Sequence, residues 1–172
     1  GAIDEAIPHH DRRDFFECWA RNGGDRVLHE LDPFIERRRG VNFSAAIGGA
    51  LGEKRVAFLR ERVSHHRSGD VIFVHAGLPP DRSHAGIFSQ RWNRPLLLLD
   101  ENAHWAWTRW PFLLPEGHPN GLHRRIFVVH GHTMPDVDPL ATPRQIECGR
   151  LNLDGGTYSR DGAIRWARFV GR

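Results

Sequence analysis

Asp70-Val-Ile-Phe-Val-His75-Ala-Gly-Leu-Pro-Pro80 is the stretch that decides how this chain folds. Its short apolar run follows Ser68-Gly69 and ends in a Gly/Pro loop, which predicts a buried strand rather than a half-exposed one. The same grammar returns at Arg125-Ile-Phe-Val-Val-His130-Gly-His132-Thr-Met-Pro135. It returns more loosely at Arg150-Leu-Asn-Leu-Asp154, followed by Gly155-Gly156-Thr157-Tyr158. Strands that finish in histidine with glycine close by put imidazoles at the carboxyl edge of a sheet, where α/β proteins build their sites. Glycine there removes a side chain where a metal or phosphate must approach the backbone. His75 and His132 are therefore the leading ligand pair. His130 lies two residues before His132, on the same side of an extended strand. It is either a donor to the site, a phosphate contact or only a cap on the strand.

Outward from these strands, Phe15, Phe16 and Trp19 lie on one helical face that begins near Asp11 and stops at Asn22-Gly23-Gly24. A short helix is expected from Asp25 through Val27, Leu28 and Leu31. Pro33 to Gly52 carries Arg37-Arg38-Arg39, read as a solvated face. Helical periodicity resumes from Glu53 to Arg67 through Val56, Leu59 and Val63. Leu96 to Leu99 reads as core, and Trp105 to Pro111 as a helix that Pro111 helps to end. Gly162 to Val170, with Ile164 and Trp166 alternating, reads as a last strand turned through Arg160-Asp161-Gly162.

At 172 residues the chain is expected to form one domain, or one domain with a small appendage. Hydrophobic residues at 40% and charged residues at 26% are ordinary globular usage, which argues against disorder. The 18 glycines and 11 prolines are too many for a helical bundle. The absence of a long apolar run or a charged-then-apolar leader predicts a soluble, cytoplasmic protein that does not engage a membrane. A net charge of +3 is too small for a phosphate-backbone footprint, and most tryptophans fall in apolar blocks, so nucleic acid is not an expected partner. Cys18 and Cys148 form no zinc spacing or disulfide framework and are expected to be reduced. Twelve histidines raise the expectation of a metal site without locating it.

Four blocks in order, Val74-His75-Ala-Gly-Leu-Pro-Pro80, Trp107-Thr-Arg109-Trp-Pro-Phe-Leu113, Val128-Val-His130-Gly-His132-Thr-Met-Pro135 and Leu151-Asn-Leu-Asp-Gly-Gly-Thr-Tyr158, resemble the bacterial serine/threonine-type protein phosphatases of the calcineurin-like metallophosphoesterase superfamily. Trp19-Ala-Arg-Asn-Gly-Gly-Asp25 is similar to a helix and turn these enzymes carry before the first of those blocks. The resemblance covers Asp11 to Arg172. It implies a four-layer α-β-β-α sandwich over residues 1–172, with two divalent metals, Mn foremost and Fe, Zn or Ni also compatible. It also implies that His75 and His132 bind one of those metals. By the same resemblance Arg109 contacts phosphate or substrate, unless it is a helix-surface arginine. Tyr158 occupies the place of an aromatic residue near the site, although a packed tyrosine is the simpler reading.

The resemblance is incomplete. The family's GDxHG, GDxxDRG and GNHE blocks, which bring the remaining ligands and the residue that protonates the leaving group, are not present. With only two protein ligands, where stable sites supply three or four, metal affinity is expected to be weak. The expectation is a metal-dependent phosphoesterase acting on a phosphorylated protein or a small phosphoester, incomplete at the amino terminus and needing a preceding segment of the same domain. Its rival is a degenerate, non-catalytic module that recognises a partner.

Overall fold

The computed structural model describes residues 17, 19–31, 33–34, 42–78, 106–115 and 126–170. The expected segments Asp11 to Phe16, Arg37 to Arg39 and Leu96 to Leu99 lie outside them. So does Cys18. Two compact units divide the chain, Gly1–Arg62 and Val63–Arg172. No helix among the described residues is long and apolar enough to cross a membrane.

In the first unit the expected stop at Asn22-Gly23 is present. Asn22 leaves helical geometry and Gly23 takes φ 94°, inside a wide turn over Ala20–Gly24. Helix α1, Asp25–Leu31, follows, and its Asp25 carboxylate accepts from the Arg26 backbone N–H at 2.8 Å. Helix α2, Phe43–Leu51, falls where the sequence predicts no helix. Asn42 caps it by accepting from the Ala45 N–H at 3.1 Å, and Gly52 ends it at φ 76°.

Helix α3, Glu53–Arg60, is shorter than the Glu53 to Arg67 helix the periodicity predicts. Strand β1, His65–Ser68, occupies the remainder, in the second unit. The cause is Gly69, whose φ of 59° followed by Asp70 makes a two-residue hairpin onto β2, Val71–Val74, pairing His65 with Val74 and Ser68 with Val71. An edge strand made of His-His-Arg-Ser has no apolar alternation by which sequence could reveal it.

Strands β2, β3 (Phe127–His130) and β4 (Arg150–Asn152) run parallel in a mixed sheet of order β1-β2-β3-β4. The fold is mixed α/β. Helix α4, Thr142–Glu147, with proline in its first turn, carries the chain from β3 to β4. Ile72, Val74 and Val128 from the strands pack with Leu78, Phe112 and Leu113 into the core of this unit. At ~25 cal/mol per Å² of apolar surface removed from water, each such side chain contributes roughly 1.5–3 kcal/mol.

Two further expectations fail. Residues 106–115 form successive turns rather than a helix, with Leu113 N–H bonded to Arg109 C=O and Leu114 N–H to Pro111 C=O, each at 2.9 Å. Pro111 has no N–H to give a helix and disfavours helical geometry at Trp110. Residues 162–170 form no strand. The chain does reverse, through Ala163 N–H to Gly155 C=O at 2.9 Å. Beyond that bond no ladder follows, because the turns after Leu153 have already taken the backbone away from β4; Ile164 and Trp166 stay 88% and 80% exposed.

Candidate functional site

The sheet ladder itself brings the two predicted ligands together. Past the ends of β2 and β3, Gly131 N–H still donates to His75 C=O at 2.8 Å, and Leu153 N–H donates to His130 C=O at 2.7 Å. The loops leaving three parallel strands therefore start side by side, at the carboxyl edge of the sheet. The imidazoles of His75 and His132 lie with centroids 5.0 Å apart, tilted at 53°. They border an open cleft of about 430 Å³ that also includes Asp154, Gly155, Ile164 and Arg165.

His132 reaches this position at a backbone cost. Its φ is 66°, and Thr133 N–H bonds back to Gly131 C=O at 2.8 Å, which is a γ-turn with positive φ, rare for a residue that carries a Cβ. The edge of Trp107 packs against the ring at 5.3 Å. The Nε2 of His132 is buried and has no hydrogen-bond partner among the described residues. A buried imidazole nitrogen without a hydrogen-bond partner, in a ring beside a second imidazole, can offer its lone pair to a cation, as a metal ligand does.

Electrostatics keep both rings neutral near pH 7. His132 is pushed down to about 4, first by burial, then by the Arg109 guanidinium and by His75, with Asp154 pulling the other way. His75 keeps a solvent-facing edge, yet it too is lowered, first by burial; Asp154 opposes this and Arg109 adds to it. Arg109, outside any helix, makes a long contact from Nη2 to the His132 carbonyl oxygen, 3.4 Å, which places it beside the pair.

His130 goes elsewhere. Gly131 and the turn at His132 break the strand alternation that would have aligned the two rings. The His130 side chain is 3% exposed, lies edge-on to Phe112 at 5.0 Å and meets Arg150 Nη1 through Nε2 at 3.1 Å. A guanidinium only donates, so Nε2 is the acceptor and the ring proton sits on Nδ1, directed at the Gly131 carbonyl oxygen 3.2 Å away. Tyr158 is 77% exposed, with its hydroxyl on the Met134 sulfur, and is not packed. Gly77 owes its identity to packing rather than to ligand approach, since a Cβ there would lie 2.5 Å from the Phe112 ring. At Gly131 a Cβ would meet only ordinary contacts, 3.7 Å from the His75 carbonyl oxygen and 3.8 Å from Asp154 Oδ2.

Asp154 is the residue sequence reasoning missed. Its Oδ1 accepts from Gly156 N–H at 2.7 Å, and its carboxylate acts electrostatically on both imidazoles. The signal was an acid at the end of the third strand copy, where the first two copies carry histidine. Among the described residues, no three His, Cys, Asp or Glu side chains converge closely enough to hold a metal ion by themselves. Comparison with protein-family models, curated proteins and solved structures returns no match, so function is read from these residues alone.

Proposed function

We propose that the chain is a metal-dependent phosphoesterase of the calcineurin-like type, built as a four-layer α-β-β-α sandwich and hydrolysing phosphate monoesters, with protein phosphoserine or phosphothreonine as the substrate class. The observation that carries this reading is the His75–His132 pair, two neutral imidazoles 5.0 Å apart at the carboxyl edge of parallel strands, one with an unsatisfied buried nitrogen. Imidazole with carboxylate nearby is a donor set that suits Mn, Fe, Zn or Ni. In this reading His75 and His132 hold one divalent cation, and Asp154 adds a negative charge beside it. A bound cation of this kind acidifies a water and neutralises phosphoryl charge. Arg109, permanently charged, binds phosphoryl oxygens. In this reading His130, buried against Phe112 and bonded to Arg150, supports the strand from within rather than binding substrate. Two imidazoles fall short of a full ligand set, so further donors outside the described residues belong to the same proposal. A cytoplasmic setting with reduced cysteines goes with it.

Hydrolysis of p-nitrophenyl phosphate with and without Mn²⁺ tests the reading. The expected result is turnover that requires metal, appears when a preceding segment carrying the remaining donors is joined to the chain, and disappears in both His75→Ala and His132→Ala. A folded protein so extended that neither binds Mn²⁺ nor turns over substrate ends the reading. The second reading, a non-catalytic module that recognises a partner, is favoured by the lack of three converging donors among the described residues, and it is distinguished by the absence of micromolar Mn²⁺ binding even when a preceding segment is supplied.

A further inference from the structure

Behind the cleft lies a buried polar cluster whose hydrogen bonds converge on one side chain. Asn152, at the end of β4 and 3% exposed, donates from Nδ2 to the Thr133 carbonyl oxygen at 2.8 Å and to Asp138 Oδ2 at 3.0 Å. Its Oδ1 accepts from the Asp154 backbone N–H at 2.9 Å. The amide orientation follows from its partners, because a carbonyl and a carboxylate can only accept while a backbone N–H can only donate. One amide thus ties the residue after His132 to the backbone of Asp154, joining the two loops that border the cleft. We propose that Asn152 is the positioning residue of this centre, the side chain that sets the His132 loop and the Asp154 carboxylate in fixed relation to each other and to His75. Its partner Asp138 is itself locked by Arg150 at 2.6 and 2.7 Å, so the amide is anchored to a rigid group rather than to a mobile one. The inference deepens the phosphoesterase reading and rests on it only where metal is concerned.

The test compares Asn152→Ala and the near-isosteric Asn152→Asp with Gln145→Ala. Gln145 is equally buried, but it bonds the Asn152 backbone N–H and the Leu140 carbonyl, so its loss weakens the cluster without releasing Thr133 or Asp154. In metal-free protein, the nuclear Overhauser effect between the His75 and His132 rings is expected in wild type and Gln145→Ala and reduced in both Asn152 variants. Mn²⁺ affinity, read by electron paramagnetic resonance, is expected to fall about tenfold or more in the Asn152 variants and to hold in Gln145→Ala. A ring-to-ring signal that survives in Asn152→Asp, or equal losses in the Gln145 and Asn152 variants, overturns the inference. Wild-type protein that shows the signal, loses it in the Asn152 variants and binds no Mn²⁺ retains the positioning role and removes the metal reading.

Discussion

His132 carries two costs. Its backbone sits at φ 66°, and its buried Nε2 goes unpaired. Strain of this kind persists where the surrounding structure imposes it, and glycine relieves it. His132→Gly is therefore expected to be more stable than His132→Ala by roughly 1 kcal/mol, as read by urea denaturation, while neither binds Mn²⁺. Equal stabilities would show that the turn is not held as described. The ring has a pH signature as well. A histidine whose folded pKa is lowered to about 4 contributes stability that is whole above its unfolded value, near 6.5, and is lost as pH falls towards 4. The denaturation midpoint should decline over that window in wild type and decline less in His132→Gln. Gly77 answers to a different neighbour. Gly77→Ala would drive a methyl group into the buried Phe112 ring, 2.5 Å from its nearest atom, and overpacking of that sort costs about 1–3 kcal/mol.

At the scale of elements, the Asp138–Arg150 pair links the turn before α4 to the first residue of β4, with both side chains 1% exposed or less. Arg150 also donates to the Leu113 carbonyl at 2.9 Å, so one guanidinium joins three segments that are distant in sequence. Burial works to raise the Asp138 pKa, but hydrogen bonds from Arg150, the Leu140 N–H and Asn152 hold it below the usual carboxylate range. The sign follows from that direction: this stability is present above the ordinary carboxylate pKa, about 3.9, and is lost as pH falls through the lower folded value. Asp138→Ala strands a buried charge and is expected to cost about 3–5 kcal/mol near neutral pH, with the difference from wild type narrowing below pH ~4. Calorimetry across that range checks both statements. None of this network is visible in sequence, since Asp138, Arg150 and Asn152 are spaced like surface residues and only the folded crossover makes them neighbours. Strands β2 and β3 were legible because Val-Ile-Phe-Val and Phe-Val-Val are apolar without interruption. Strand β1 was not, because its energy lies in backbone pairing under a glycine turn. Helix α2 was hidden by Gly48 and Gly49, and the tail was misread because alternation at Ile164 and Trp166 carries no information about whether a partner strand exists. His75 and His132 were found because each follows an apolar strand directly; Asp154 was passed over because the third copy is shorter and more polar.

At the scale of the whole molecule, the described residues of the two units are unequal in what they bury. Among the described residues of Gly1–Arg62, Leu28 is the one buried hydrophobic side chain, and α3 buries none. Val63–Arg172 holds the connected core of Ile72, Val74, Leu78, Phe112, Leu113 and Val128, the complete four-stranded sheet and every side chain assigned to the site. Apolar burial is the dominant favourable term in folding, and chains with little of it do not offset their conformational entropy. The fragment Val63–Arg172 is therefore expected to unfold in a single cooperative urea transition and to retain the His75–His132 ring contact and Mn²⁺ affinity of the full chain. The fragment Gly1–Arg62 should show helical circular dichroism without a cooperative transition. Loss of Mn²⁺ affinity in a Val63–Arg172 fragment that still unfolds cooperatively would mean that residues 63–172 alone do not carry the metal's donors.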